Sequence, residues 1–320
     1  MDVRTALKQG VEQLRDALVP SFTLAAELLL LHTLGKEREW LYAHPEETVS
    51  DSEAQRFYEL LARRAAGEPT QHLTGKQEFW GLEFEVNPDV LIPRAETEHV
   101  IEVALDRLAV RELRAGRKQT LTGDGLHIVD VGAGSGCIAV ALAKELPGAQ
   151  IIATDISLAA LAVARRNAAR HFFAGRIHFV ESDLFDALTI GARYIVPLRQ
   201  HSATNAKHGS PVTSHESRSF DLIVSNPPYI GLNEKETLQR EVRDHEPELA
   251  LYGGEEGYEI YADLIAQVEH HLKPNGLLVL ELGHNSLPAV QPLLDLPHWT
   301  NVGVTKDLAG IDRVIAAERT

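Results

Sequence analysis

From residue 126 onward, short β-rich runs alternate with helical stretches: Ile128 to Val131, Ile151 to Thr154, Ile177 to Val180, Leu222 to Ser225, Leu277 to Leu282 and Val302 to Thr305. Near-continuous apolar strands separated by helices bury both sheet faces, so the pattern predicts a doubly wound α/β sheet. The rhythm breaks once, between Phe185 and Phe220, where residues 200–219 are rich in Ser, Thr, His, Asn and Gly. This predicts a flexible surface insertion over residues 186–219. His201, His208 and His215 fall there, but their wide spacing and the absence of nearby cysteine mark solvated loop side chains, and no metal site is expected.

Residues 1 to about 75 carry apolar positions at helical spacing, as in Ala25, Leu28, Leu29, Leu30 and Leu31, and again around Leu60, Leu61 and Ala65. Val49 to Glu53 reads as a helix start, with small polar caps ahead of acidic first-turn residues. Between Phe79 and Pro88 the period changes to alternation with turn residues, which suggests a hairpin. The chain therefore divides into a helical domain over 1–77, a β-hairpin linker over 78–97 and an α/β domain over 98–320.

Composition narrows the function classes. With 320 residues and 44% hydrophobic content the chain packs as an ordinary globular protein. The single cysteine, Cys137, excludes an intrachain disulfide and argues against redox chemistry. No apolar run reaches the length of a membrane span and the N-terminus lacks a secretory pattern, so a cytoplasmic protein is expected. A net charge of −15 repels phosphate backbones and disfavours nucleic acid as a partner. The basic stretch Arg107, Arg111, Arg114, Arg117 and Lys118 reads as a solvated helix end and linker.

A buried strand ending at Asp130 runs into Gly132-Ala133-Gly134-Ser135-Gly136, and residues 137–143 then look helical. Glycines here let backbone approach a ligand closely. Cys137 stands where a dinucleotide fingerprint has its third glycine, and no Walker lysine follows, so NAD and ATP lose ground. Asp155 closes the next strand at the spacing where a carboxylate accepts from both ribose hydroxyls of an adenosyl group, which suits S-adenosylmethionine. Asp183 could meet the adenine edge, with Leu184 or Phe185 against its face; the alternative for Asp183 is a helix N-cap.

Asn226-Pro227-Pro228-Tyr229 points to methylation of a planar nitrogen. Each proline fixes φ and lacks an N–H, so the local carbonyls are held rigidly without a competing donor. The Asn226 side-chain oxygen and the Pro227 carbonyl can then face one NH₂ group, while the Tyr229 ring offers a flat face. The bland alternative is an ordinary Asn-Pro turn.

Together these stretches resemble the class I S-adenosylmethionine-dependent methyltransferases, and within them the protein-glutamine N5-methyltransferases that modify the Gly-Gly-Gln motif of class 1 peptide-chain release factors. The resemblance spans nearly the whole chain. It includes Gln71 to Gly75 with Glu78 to Gly81, Leu91 to Glu98, Gly132 to Gly136, Asn226 to Ile230, Glu246 to Leu251 with Gly253-Gly254, and a closing strand pair at Asp307 to Val314. It implies a Rossmann-like seven-stranded sheet and an N-terminal helical domain that helps dock the release factor. It also implies cofactor contacts at Gly132 to Gly136, Asp155 and Asn226; separately from the resemblance, a monomer is expected.

Ala95 departs from the proline common in the Pro-Arg-x-Glu-Thr segment, while Arg94, Glu96 and Thr97 remain, either as ligand contacts or as a structural ion pair and helix cap. No general base is named, because the amide nitrogen becomes acidic as positive charge develops, and the absence of an obvious His or Glu beside the Asn-Pro-Pro-Tyr run agrees with this. Two rival readings share the cradle: N-methylation of an exocyclic amino group of adenine or cytosine, and glutamine methylation of a ribosomal protein. A third is a cofactor-binding protein with a dead site, which loss of Asn226 or of the glycines would have signalled.

Overall fold

The computed structural model describes residues 1–116, 121–189 and 219–320. Its N-terminal part is helical: α1 (Val3–Asp16), α2 (Phe22–Leu34), α3 (Arg38–Ala43), α4 (Asp51–Ala65) and α5 (Thr70–Thr74). The expected start of α4 is a full capping box, in which Ser50 Oγ accepts from Glu53 N at 3.3 Å and Ser50 N donates to Glu53 Oε2 at 2.8 Å. Leu14, Leu29, Leu30, Phe57 and Leu61 are fully buried between α1, α2 and α4 and give this region its own core.

A hairpin follows, β1 (Lys76–Phe79) and β2 (Leu82–Glu85), closed by Trp80 and Gly81 at φ +55° and +65°. A two-residue turn with both φ positive matches strand twist but strains a tryptophan. Neighbours over-determine the position. Trp80 N donates to Glu98 Oε1 at 2.7 Å, Trp80 Nε1 donates to Glu145 Oε1 at 2.9 Å, and Lys144 Nζ donates to the Trp80 carbonyl at 3.0 Å. The hairpin thus runs over 76–85 in place of the expected 78–97: it begins inside the expected helical domain, and residues 86–97 lie outside it and end in a 3₁₀ turn at Ala95–Thr97.

Beyond it come α6 (Glu98–Arg114), β3 (His127–Val131), α7 (Cys137–Glu145), β4 (Gln150–Asp155), α8 (Leu158–Arg170), β5 (Ile177–Glu181) and α9 (Asp186–Thr189). The chain continues through β6 (Phe220–Ser225), β7 (Ile230–Gly231), α10 (Arg240–His245), α11 (Glu248–Leu251), β8 (Tyr252–Gly254), α12 (Glu259–His271) and β9 (Leu272–Glu281). It closes with α13 (Leu287–Val290), β10 (Trp299–Lys306) and β11 (Asp312–Arg319). The seven-stranded sheet has the order β10-β11-β9-β6-β3-β4-β5. Strands β3, β4, β5, β6 and β9 run parallel, and β11 pairs antiparallel with both β9 and β10.

Alternate strand residues feed two cores. Ile128 and Leu222 pack with Ile101, Leu108 and Val140 on one face, while Val129 and Ile223 pack with Tyr261, Leu264 and Val268 on the other. The chain winds outward from β3 through β4 to β5 and returns to β6 on the other side of β3. That reversal opens a crevice at the carboxyl ends of β3 and β6, where open α/β sheets bind ligands. The Ser225 hydroxyl, donating to the Val131 carbonyl at 2.6 Å, ties those two ends together.

Three expectations change in detail. Residues 307–311 form the turn between β10 and β11, so the closing strand pair is Trp299–Lys306 with Asp312–Arg319. Of the expected insertion over 186–219, Asp186–Thr189 is helical, and residues 190–218, with the histidines at 201, 208 and 215, lie outside the described residues. The basic stretch is not merely solvated: Arg107 donates to the Asn301 carbonyl, Arg111 to the Asp221 carbonyl, and Arg114 pairs with Glu318. Arg117 and Lys118 lie outside the described residues. Among the described residues no helix is long and apolar enough to cross a membrane.

Candidate active site

At the end of β3 the chain turns sharply because Gly132, Gly134 and Gly136 take φ of +76°, +53° and +81°. Gly132 N and Ala133 N both donate to the Thr154 carbonyl, at 2.9 and 2.8 Å. A Cβ added at Gly132 or Gly134 would meet nothing within 4 Å, so both face open space, whereas at Gly136 it would come within 3.0 Å of Ala164 Cβ. Gly136 therefore lets α7 and α8 pack and does not line the cavity.

Asp130, fully buried beneath the loop, accepts from Ala139 N at 3.1 Å and satisfies a free amide in the first turn of α7. Burial pushes its carboxyl up to about 7. Asn167 on α8 binds the outside of the loop: Nδ2 donates to the Ser135 carbonyl at 2.9 Å and the Glu85 carbonyl at 3.0 Å, while Oδ1 accepts from Glu85 N at 2.7 Å.

Asp155, ending β4, accepts from Gly134 N through Oδ2 and from Ser157 N through Oδ1, both at 2.8 Å. Burial raises its carboxyl above the ordinary range, and these two amides offset that only in part. Asp183 and Leu184 follow β5. The first turn of α9 is served by Ser182 Oγ, which accepts from Ala187 N at 3.0 Å, so Asp183 is not needed as a cap and lines the cavity with Leu184.

That cavity measures about 300 Å³, at the small end for ligand pockets. Gly132, Ala133, Gly134, Ser135, Asp155, Asp183, Leu184, Asn226, Pro227 and Pro228 all line it. A second cavity of about 460 Å³ lies alongside, walled by Tyr229, Ile230, Thr237, Leu238, Glu241 and Val242. Asn226 and Pro227, with Leu91, Arg94 and Ala250, line both.

Space for the Tyr229 ring comes from Gly283, where a Cβ would sit 2.6 Å from Tyr229 Cδ2. Asn226 Nδ2 donates to Thr97 Oγ1 at 3.1 Å, leaving Oδ1 as its available acceptor. Tyr229 donates its hydroxyl to Glu281 Oε1 at 3.3 Å, and burial raises the phenol's pKa. Glu281 is fully buried. Its carboxyl is pushed up to about 7 by burial, against the pull of the Thr97 hydroxyl, Arg313 and Tyr229. Arg94 pairs with Glu246, whose Oε2 also accepts from Ile92 N at 3.1 Å, so the ion-pair reading of Arg94 holds while its position still lines both cavities.

Residues 5–75 match the PrmC N-terminal domain and residues 122–293 match a methyltransferase domain. The release factor glutamine methyltransferase of Koribacter versatilis is 40% identical over 319 residues, covering 100% of this chain and 99% of that protein. The protein of the same description from Nitratidesulfovibrio vulgaris is 39% identical over 316 residues, covering 98% and 94%. The chain belongs to the release factor glutamine methyltransferase family. It is a methyltransferase of the class I fold. A solved protein-(glutamine-N5) methyltransferase (release factor-specific) from Alicyclobacillus acidocaldarius is 28% identical with a TM-score of 0.40, covering 74% of this chain and 99% of that one.

Sequence reading missed Asn167 and Glu281, and left Thr97 ambiguous. No Glu stands beside the Asn-Pro-Pro-Tyr run in sequence, but Glu281 stands beside it in space. A carboxylate at the end of the apolar run Leu277 to Leu280 was the available signal.

Proposed function

We propose that the protein transfers a methyl group from S-adenosylmethionine to the side-chain amide nitrogen of the glutamine in the Gly-Gly-Gln motif of class 1 peptide-chain release factors. The observation that supports this best is the shared wall: Asn226 and Pro227 front both cavities, so a group held in one meets a group held in the other at the Asn-Pro pair. The glycine-lined side fits the cofactor, since open space lies where Cβ atoms at Gly132 and Gly134 would project and the Asp155 carboxylate faces the same cavity. Gly132 to Ser135 and Asp155 would hold its methionyl and ribose parts, with Asp183 and Leu184 near the base. When bound, S-adenosylmethionine supplies an electrophilic methyl on a sulfonium.

The chain's own residues do the rest by orientation. A carboxamide nitrogen is a poor nucleophile because its lone pair is delocalised into the carbonyl. Asn226 Oδ1 and the Pro227 carbonyl accept its two N–H bonds, aim the nitrogen into the glycine-lined cavity and favour the tetrahedral nitrogen of the transition state. Such positioning contributes up to about 7–11 kcal/mol in well-oriented reactions. As the N–C bond forms and the S–C bond breaks, the nitrogen becomes acidic and passes its proton to water or a carbonyl, leaving S-adenosylhomocysteine as the other product. Pro228 stiffens the turn, Tyr229 bounds the substrate side, and the helical region over residues 1–77 docks the release factor. The setting we infer is the cytoplasm, with the enzyme a monomer and no metal.

Incubation with S-adenosylmethionine and purified release factor, followed by peptide mass spectrometry, tests the reading. One added methyl on the Gly-Gly-Gln fragment, absent with a Gln→Ala release factor, is expected. No mass shift, with cofactor binding intact, would direct attention to a ribosomal protein or a nucleobase.

A further inference from the structure

The amide of Asn226 can serve as an acceptor only if it is turned one way. Rotated by half a turn about its last bond, it would present NH₂ to a substrate NH₂, donor against donor. The local cradle does not choose between these orientations, because the flanking prolines restrain the backbone and not the side chain. The choice is made behind it, where Nδ2 meets Thr97 Oγ1 at 3.1 Å. A threonine hydroxyl can accept or donate, so Thr97 enforces the orientation only if its own hydrogen is committed elsewhere.

The acceptor it faces is the Glu281 carboxylate, which is fully buried, as Thr97 is nearly so at 2% exposure. Glu281 Oε1 takes the Tyr229 hydroxyl at 3.3 Å, and Oε2 is buried with no hydrogen-bond partner among the described residues, an open acceptor for a neighbouring hydroxyl. An ionised carboxylate has no hydrogen to give, so a Thr97 hydroxyl turned towards its open oxygen can only donate; it then accepts from Asn226 Nδ2, and Oδ1 is left facing the substrate.

Resting on the proposed methyl transfer, we propose that Thr97 and Glu281 are positioning residues for that reaction: the Thr97 hydroxyl, anchored by Glu281, holds the Asn226 amide in its accepting orientation, and Glu281 holds the Tyr229 ring from the same point. Thr97 shares the wall of the glycine-lined cavity, and the role proposed for it runs through the Asn226 amide. Both residues act through the cradle. The 3₁₀ turn at Ala95–Thr97 delivers the threonine from the chain entering α6, and the end of β9 delivers the glutamate, so the orientation is fixed by two elements remote in sequence from the motif.

The test compares Thr97→Val, which keeps shape and loses the hydroxyl, with Thr97→Ser, which keeps the hydroxyl. Turnover of purified release factor, its KM, the Kd for S-adenosylmethionine and thermal unfolding are measured for both. Thr97→Val is expected to lower kcat by about tenfold or more, the scale of one lost orienting hydrogen bond, with KM and cofactor Kd within about twofold of wild type. Thr97→Ser is expected to restore kcat to within about threefold of wild type. A Thr97→Val enzyme that folds and turns over like wild type overturns the inference. So does Thr97→Ser as slow as Thr97→Val while both bind cofactor normally. An inactive wild-type enzyme would instead defeat the proposed function.

Discussion

The Gly134 amide donates to Asp155 Oδ2 at 2.8 Å, so the glycine loop after β3 and the end of β4 form one hydrogen-bonded unit. Removing this carboxylate takes away both a ribose acceptor and a brace of the loop. Asp155→Ala is expected to weaken S-adenosylmethionine binding by at least about tenfold, the scale of one charge-assisted hydrogen bond. Turnover at saturating cofactor should be largely kept. Isothermal titration calorimetry on the folded variant checks this, and an unchanged Kd would remove Asp155 from the cofactor site.

Asn226→Ala removes the one acceptor that the turned amide offers. Loss of an oriented polar group of this kind typically costs about 10²–10³ in kcat. Cofactor affinity should change little, because most of the cavity wall is untouched. Full turnover in Asn226→Ala would sink the cradle mechanism.

Glu281 sets an expectation for pH. Its folded-state carboxyl lies at about 7, so it gains a proton as pH falls through that value. Protonated, it can donate to Thr97, whose hydroxyl is then released to donate to Asn226 and turn the amide the wrong way. Rate should therefore fall on the acid side of about 7, and Glu281→Gln should flatten that limb. The charged and titratable groups facing Glu281 are Tyr229, Arg313, Glu96, Tyr261 and Cys137. Burial holds Tyr229 above its ordinary range and Cys137 up at about 12, so neither changes charge in this window. A kcat profile from pH 5.5 to 8.5 that keeps its acid limb in Glu281→Gln would assign the limb to another group.

Asn167→Ala tests the brace outside the loop. The substitution leaves the Ser135 carbonyl and both backbone groups of Glu85 without their partner at a fully buried position. A destabilisation of about 3 kcal/mol is expected from unsatisfied buried groups of this kind. Urea unfolding of the two proteins measures it, and a loss below about 0.5 kcal/mol would show that water replaces the side chain.

Much of this was legible in the sequence because the informative residues act locally. Glycines at positive φ, prolines after Asn226 and short apolar strands declare their geometry within a few residues, so the ends of β3, β4 and β6 were placed correctly. What was missed depends on distance along the chain. Thr97 and Asn226 are 129 residues apart, Tyr229 and Glu281 are 52 apart, and Asn167 and Glu85 are 82 apart. Only the packing of elements distant in sequence brings them together. Gly136 was misleading for the opposite reason: it has the same backbone signature as Gly132 and Gly134, but its missing side chain faces a helix.

Trp80 has its amide, its carbonyl and its indole nitrogen all engaged by Glu98, Lys144 and Glu145, and a second tie, between Arg64 of α4 and Glu241 of α10, holds the helical region from the other end. With the adjoining hairpin and α4 both latched to the α/β part, that region stands as a fixed arm beside the cavities. Under the docking and cradle roles proposed above, a partner is gauged first by length: its acceptor side chain must protrude far enough from the surface those helices would grip to reach Asn226, and one that is too short or too blunt is turned away before any of its atoms is read.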